Sequence, residues 1–347
     1  MTGQELPVVT NISTAVRPGK GVPGLTLVAV EATGRVAYVF ETRRPDRPVV
    51  RLCGVRTRMP DQSIGVHDGL LSTVEVRSID DSVRICLALE HPTILVVREQ
   101  PGMPARLCLE LSRAPLWRIL HGRRIVVDPG HGGDDTGGRG PVDLLEKTMT
   151  LAVAGRLGKQ LVEAGCGVVT TRGSDANPVW GERCALAARE KADAMVSLHT
   201  AWFPDPAVAG IAVYWLNQEG QPLAARIHSA FLRKLPLPDR GRGMGNPRAE
   251  LDMPVAIAEF ATISNPVEEG WLRSSTFIDR AAGAVLNGLK DYFAGGREPG
   301  RTRQTGPDDG RLSPQHPPQD GTGGIGALLQ LRQAGLQVGP DERAARE

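Results

Sequence analysis

The hydrophobic pattern of this chain changes near residue 118, and this change constrains the fold more than any other feature. Between about residues 24 and 113, short apolar segments alternate with a period of two, as Val36, Tyr38 and Phe40 do. Such segments, separated by glycine, proline, aspartate or asparagine, are typical of half-buried strands. Because this region contains no convincing helical pattern, the sequence predicts that residues 1–118 form a small all-β sandwich.

The second part of the chain, residues 119–294, alternates predicted strands with predicted helices. Short apolar runs predict the strands, and residues 144–165 predict a helix because Met149, Val153 and Leu157 lie on one stripe. Strands spaced by helices predict a twisted, mostly parallel sheet with helices on both faces. The predicted fold class is therefore an α/β catalytic domain preceded by a small all-β sandwich domain.

Composition and charge exclude several classes of protein. The net charge of +2 over 347 residues argues against a dominant nucleic-acid-binding role, which requires a strongly basic domain. No stretch has the apolar length of a membrane-spanning helix, and no secretory signal peptide is visible in the sequence.

The five cysteines include no CxxC pair, which predicts free structural thiols. Residues 295–347 are rich in glycine, proline and charge and are predicted to be a disordered tail.

Polar residues follow or end several predicted strands of the α/β part. His131 lies in a glycine-rich turn after the strand at 125–127, and His199 and Glu259 each end an apolar strand. Sites in open α/β sheets form at the carboxyl ends of the strands. The helix after the first strand begins near Glu146. We therefore expect two histidines and two carboxylates to converge at one edge of the sheet.

Each of these residues also has a purely structural explanation. His131 could be an incidental turn histidine, and His199 could be a hydrogen-bonded histidine at a strand end. Glu146 could be the acid of a helix cap that starts at Asp143. Glu259 is harder to explain in this way, because a charge at the end of an apolar strand needs a partner or a role. Taken together, the four residues favour a metal site.

The donor types in this set indicate a reaction class. Two imidazoles and one carboxylate form a common catalytic zinc ligand set, which leaves the fourth position for water. Zinc lowers the pKa of that water to roughly 7. A second carboxylate that does not bind the metal can then take the proton and pass it to a leaving nitrogen. The sequence therefore predicts metal-assisted hydrolysis, most naturally of an amide.

Five segments spread over about residues 123–293 resemble, in order and spacing, the motifs of the zinc-dependent N-acetylmuramoyl-L-alanine amidases of the Amidase_3 family. The resemblance implies that His131, Glu146 and His199 bind Zn²⁺ and that Glu259 is the catalytic carboxylate. It implies hydrolysis of the amide between N-acetylmuramic acid and L-alanine of the peptidoglycan stem peptide, in cell-wall remodelling or daughter-cell separation. The segments are IVVDPGHGGDDTGG, LLEKTMTLAVAGRL, VVTTRGSD, ADAMVSLHT and AIAEFATISNPVEEGWL.

The first domain is similar, in strand pattern and domain order, to the AMIN-like domain that precedes this catalytic domain in many Gram-negative amidases. This likeness implies that residues 1–118 target the enzyme to the wall or septum. Besides peptidoglycan, the implied partner is an activator or septal protein that binds through this domain. The implied location is the periplasm or cell wall, although the sequence shows no signal peptide.

The sequence departs from the family pattern beside the predicted ligands. His199 is followed by Thr200 and Ala201 where the family usually has alanine and then asparagine or aspartate, and Glu259 is followed by Phe-Ala-Thr instead of Leu-Gly-Phe. These departures concern substrate contacts and turnover more than metal binding. Two alternatives stay open: a catalytically weak or inactive peptidoglycan-binding protein, and a zinc peptidase that cuts within the stem peptide.

Overall fold

The architecture comes from a computed structural model, in which residues 5–245 and 251–295 are described. A β-sandwich is followed by an α/β domain, as the sequence predicted. The predicted disordered tail, apart from Gly295, lies outside the described residues. No helix among the described residues has both the length and the apolar character required to cross a membrane.

Ten strands form the sandwich, and they divide into two five-stranded sheets. One sheet has the order β5-β1-β2-β10-β9 and the other has the order β3-β4-β8-β7-β6. The first strand lies upstream of the region in which the sequence indicated strands. The strands are β1 (Val8–Arg17), β2 (Leu25–Ala32), β3 (Ala37–Thr42), β4 (Val49–Cys53), β5 (Arg56–Thr57), β6 (Gln62–Gly65), β7 (Leu71–Ile79), β8 (Ser82–Leu89), β9 (Leu95–Gln100) and β10 (Ala105–Ser112).

The period-two pattern of these strands creates the sandwich core. In β2, Val28, Val30 and Ala32 are buried while the residues between them are partly exposed. They pack with the inward-facing residues of the second sheet, such as Leu52 and Ile85, in one hydrophobic cluster. Burial of these side chains removes apolar area from water and stabilises the two-layer arrangement.

A six-stranded mixed sheet with the order β12-β11-β13-β16-β14-β15 forms the centre of the α/β domain. Every neighbouring pair is parallel except β14 with β16, so the predicted, mostly parallel sheet is confirmed. The elements are α1 (Ala114–Leu120), β11 (Arg124–Pro129), α2 (Glu146–Glu163), β12 (Gly167–Thr170), α3 (Trp180–Arg189), β13 (Ala194–Ala201), β14 (Ile211–Trp215), α4 (Gly220–Lys234), β15 (Asp239–Met244), β16 (Val255–Thr262), α5 (Pro266–Leu272) and α6 (Ser275–Phe293).

Helices cover both faces of this sheet. Ile125 and Val127 of β11 pack in the cluster that contains the buried residues of α2, α4 and α6. Val126 points the opposite way and packs with Ala187 of α3. Because both faces are buried, the central strands β11, β13 and β16 are mostly apolar and lack the alternation of the sandwich strands. Three elements of this domain were not predicted from the sequence: α1, β15 and α5. The segment DRGRGM of β15 contains no apolar run that would indicate a strand.

The two domains meet where the turn between β6 and β7 contacts α4 and α6. Asn287 donates a hydrogen bond to the His67 carbonyl at 2.8 Å, and Lys290 donates to the Gly69 carbonyl at 3.2 Å. Arg113, just before α1, forms a largely buried ion pair with Asp68 at 2.9 Å. These bonds attach the sandwich to the face of the α/β domain that contains the α4–α6 pair.

All five cysteines are free thiols, as predicted. Cys108, Cys166 and Cys184 are buried, whereas Cys53 and Cys86 are half-buried. Burial raises the pKa of Cys166 to about 12 and that of Cys184 to about 11. Because the thiolate is the reactive form, these two thiols are structural.

Candidate metal centre

The glycine-rich turn after β11 places His131 at the carboxyl edge of the sheet. His131 has a φ of 61° and the following Gly132 has a φ of 134°. A side chain on Gly132 would bring its Cβ to 1.9 Å from the carbonyl oxygen of Ala176. The turn therefore needs glycine beside the histidine, because only glycine combines this backbone conformation with such a close approach.

Three of the predicted residues come together at this edge: His131, Glu146 and His199. One candidate ligand atom from each lies within 4.8 Å of the other two, and all three residues are buried. The two imidazole rings meet edge to face, with their centroids 4.9 Å apart. This is the donor set that the sequence predicted, contributed by a turn, a helix and a strand.

Glu146 is the residue that connects the two histidines. Its Oε1 atom lies 3.0 Å from His199 Nδ1 and 3.2 Å from His131 Nε2. The backbone N–H of Thr200 donates to the same oxygen at 2.9 Å, and the N–H of Gly138 donates to Oε2 at 2.8 Å. Burial opposes ionisation, but the two histidines hold the pKa of the Glu146 carboxyl well below its usual range. Glu146 is therefore a buried carboxylate fixed by four contacts.

The capping explanation for Glu146 is wrong. Glu146 is the first residue of α2, the N-cap is Leu145, and no side chain caps this end of the helix. The Glu146 carboxylate turns away from its own helix and toward the histidines. Backbone carbonyls satisfy the first N–H groups of α2 instead: the N–H of Glu146 donates to the Gly138 carbonyl at 2.9 Å, and the N–H of Lys147 donates to the Thr136 carbonyl at 3.1 Å.

Asp135 orients the first histidine. Its Oδ2 atom lies 2.9 Å from His131 Nδ1, so the carboxylate accepts the Nδ1 proton and leaves Nε2 facing Glu146. Burial lowers the proton affinity of His131, but the neighbouring Glu146 and Asp135 outweigh it and raise the pKa to about 10.

Glu259 lies beside this cluster and is not a member of it. It pairs in register with His199 across the parallel strands β16 and β13. Its side chain is 16% exposed and forms an ion pair with Arg240 of β15. The prediction that both residues end their strands was imprecise, because β13 continues to Ala201 and β16 to Thr262.

Two buried arginines that the sequence analysis missed support the turn. Arg183 of α3 donates to the Pro129 carbonyl at 2.8 Å and to the His131 carbonyl at 3.1 Å. Arg172 donates to the carbonyls of Pro129 and Gly130, both at 2.9 Å. The sequence contained a signal only for Arg183, which lies next to Cys184 on the apolar side of a short helix.

The arrangement has the groups needed for metal-assisted hydrolysis. Two imidazoles and a carboxylate can hold a divalent ion of the zinc type. A separate carboxylate on the adjacent strand can transfer protons. The cluster is buried, and Glu259 retains access to solvent at its edge.

Comparison with known proteins finds amidases. Residues 125–291 match the Amidase_3 family model, described as N-acetylmuramoyl-L-alanine amidase. A Staphylococcus epidermidis protein named "Probable cell wall amidase LytH" is 34% identical over 179 residues, which are 50% of this chain and 60% of the relative. The Staphylococcus aureus protein of the same name is 31% identical over 180 residues, with the same two coverages. The chain therefore spans less than two thirds of the length of these relatives.

One solved structure illustrates the likeness. It is the catalytic domain of CwlV, an N-acetylmuramoyl-L-alanine amidase from Bacillus (Paenibacillus) polymyxa var. colistinus. The sequence identity is 30%, and the match covers 50% of this chain and 98% of that domain with a TM-score of 0.48.

Proposed function

We propose that this protein is a zinc-dependent peptidoglycan amidase, because its residues 125–291 belong to the N-acetylmuramoyl-L-alanine amidase family. The bond cleaved is the amide between N-acetylmuramic acid and the L-alanine of the stem peptide. The principal support is one observation: the buried cluster of His131, Glu146 and His199 lies beside Glu259 at the carboxyl edge of the sheet.

The chemistry of the donors fits Zn²⁺. Imidazole nitrogen and carboxylate oxygen are ligands that zinc accepts, whereas magnesium and calcium prefer all-oxygen sites. Asp135 sets the tautomer of His131, which leaves Nε2 free to bind the ion. His131, Glu146 and His199 would hold the ion, and the ion would supply Lewis acidity and a more acidic water.

The residues of the chain then have distinct tasks. Glu259 takes a proton from the attacking water and delivers it to the departing nitrogen of L-alanine. The backbone N–H groups of Thr200 and Gly138 hold the Glu146 carboxylate in place. Arg183 and Arg172 prevent the turn at His131 from moving. In this scheme the chain keeps the donors fixed before substrate arrives, which lowers the reorganisation required during the reaction.

We further propose that the sandwich is AMIN-like and directs the enzyme to the wall or septum, in the periplasm or cell wall, where it acts in cell-wall remodelling or daughter-cell separation. An activator or septal protein would bind through this domain. The attachment of the β6–β7 turn to α4 and α6 supports a fixed orientation between the targeting and catalytic parts. The name of the staphylococcal relatives supports a wall location.

The test is hydrolysis of purified peptidoglycan sacculi, with mass analysis of the released fragments. Wild-type protein is assayed as purified, with chelator, and with zinc restored. Glu259→Gln is compared with Glu163→Gln, which makes the same chemical change on an exposed residue at the end of α2. Metal content is measured for each protein.

The amidase proposal predicts release of intact stem peptides by wild type and Glu163→Gln. Chelator stops this release and zinc restores it. Glu259→Gln retains metal and loses activity by about 100-fold or more. Shortened stem peptides would instead establish a peptidase, and absence of release from zinc-loaded wild type would favour a peptidoglycan-binding protein.

A further inference from the structure

Arg240 contacts the proposed catalytic carboxylate, and no sequence motif identified it. The guanidinium Nη2 of Arg240 donates to Oε2 of Glu259. The side chains are 13% and 16% exposed, so this ion pair is shielded from most solvent. Arg240 lies on β15, the edge strand, and Glu259 lies on β16, with β14 between them. The contact therefore spans two strand spacings and depends on the length of the arginine side chain.

Arg240 is itself held by three further groups. Its Nε donates to the Gly210 carbonyl at 3.1 Å, and its guanidinium carbon lies 5.2 Å from the centre of the Phe203 ring. The phenol of Tyr214 lies beside the same guanidinium. A guanidinium enclosed by a carbonyl, a ring face and a phenol has restricted freedom, so it can determine the orientation of its carboxylate partner.

The two carboxylate oxygens of Glu259 consequently differ in their hydrogen-bond partners. Oε2 is occupied by Arg240, and among the described residues no hydrogen bond to Oε1 is found. Glu259 and His199 pair in register, and residues paired in this way point to the same face of the sheet. Oε1 is therefore the oxygen available for proton transfer beside the metal cluster.

We infer that Arg240 is a positioning residue of the amidase reaction: it holds Oε2 of Glu259 so that Oε1 is directed at the reacting water. This inference rests on the proposed function. A free glutamate has three rotatable side-chain bonds, and misplacement of a catalytic group by about 1 Å can lower the rate by about 100-fold. Arg240 does not touch substrate in this scheme, and it acts through Glu259.

The experiment uses the full chain loaded with zinc and a soluble muramoyl-peptide as substrate. Arg240→Gln removes the charge and the fork of donors, whereas Arg240→Lys keeps the charge and loses the fork. Arg118→Gln, on the exposed side of α1, is the matched control. For each protein kcat, KM, zinc content and the midpoint of thermal unfolding are measured.

A positioning role predicts that Arg240→Gln lowers kcat by about 10- to 100-fold, with KM within about twofold of wild type and zinc content unchanged. Arg240→Lys recovers part of the loss, and Arg118→Gln resembles wild type. The inference is overturned if Arg240→Gln keeps the wild-type kcat, or if its activity falls only in proportion to zinc content. If the wild type does not release stem peptides, the proposed function fails as well. If wild type hydrolyses the substrate and Arg240→Gln is equally active, only the positioning inference fails and the proposed function stands.

Discussion

Arg183 of α3 and Asp128 of β11 form an ion pair that is buried on both sides, with 2.7 Å between Nη1 and Oδ1. Asp128 also accepts a hydrogen bond from the Ser197 hydroxyl at 2.5 Å, and Arg183 donates to the His131 carbonyl at 3.1 Å. One pair therefore connects β11, β13, α3 and the turn that contains a proposed metal ligand.

Replacement of Arg183 by methionine removes the partner of a buried carboxylate. Asp128 is then left as an uncompensated charge, and we expect the free energy of unfolding to fall by about 3 kcal/mol. Zinc affinity should fall by about 10-fold or more, because the His131 turn loses its support. Denaturant unfolding and metal titration measure the two effects. Arg189→Met, on the same helix but largely exposed, should change stability by less than about 0.5 kcal/mol, and equal losses in the two variants would contradict this account.

Gly130 is a position where the turn passes very close to the second histidine. A Cβ at Gly130 would lie 2.2 Å from Cε1 of His199. We expect Gly130→Ala to displace the imidazole and to weaken zinc binding by at least about 10-fold. Gly155→Ala is the control, because a Cβ at that exposed helical position meets no atom within 4 Å. It should raise the free energy of unfolding by about 0.5–1 kcal/mol, and isothermal titration together with thermal unfolding tests both expectations.

The domain contact depends on the charge of Lys290, whose side chain is 1% exposed and pairs with Glu90 of the sandwich. Glu90→Gln weakens the compensation of this buried ammonium. The expected loss is about 2 kcal/mol in the free energy of unfolding, less than for an isolated charge because Asp291 still pairs with Lys290. Glu99→Gln breaks the exposed pair with Arg35 and should cost at most about 0.5 kcal/mol. A similar effect of both substitutions in denaturant unfolding would refute this role for Lys290.

Lys234, the last residue of α4, donates to the His67 carbonyl of the β6–β7 turn and gives the domain contact a pH dependence. Burial lowers the pKa of Lys234 from 10.5 to about 8. The nearby Asp68 and Glu90 raise this pKa but only partly offset burial, whereas the cations Arg113 and Arg280 lower it further. Between these two pKa values the unfolded chain binds more protons than the folded chain. Stability from this group therefore rises with pH above about 8, by at most about 1.4 kcal/mol per pH unit, and is constant below it.

The measurement is the free energy of unfolding of wild type and Lys234→Met between about pH 7 and about pH 10. The difference between the two proteins should change in favour of wild type as the pH rises. A difference that is independent of pH would show that Lys234 keeps its ordinary proton affinity in the folded protein.

The sequence by itself determined the two-domain order, the fold class and the four residues proposed for the site. It could do so because hydrophobic periodicity reports local burial, and because the carboxyl ends of parallel strands meet at one edge whatever the details of packing. His131, His199 and Glu259 follow directly from that rule. Glu146 was found by resemblance as well as by its place at the start of a helix.

The tertiary structure alone decided which groups hold these residues in place. Arg183 and Arg172 bind backbone carbonyls far from them in the chain, and Arg240 reaches Glu259 across an intervening strand. Charged residues in loops, short helices and edge strands are common, and their usual position is solvated. Only the packing of distant segments removes them from water and assigns their partners, so periodicity and motif spacing contain no information about which arginine supports which ligand.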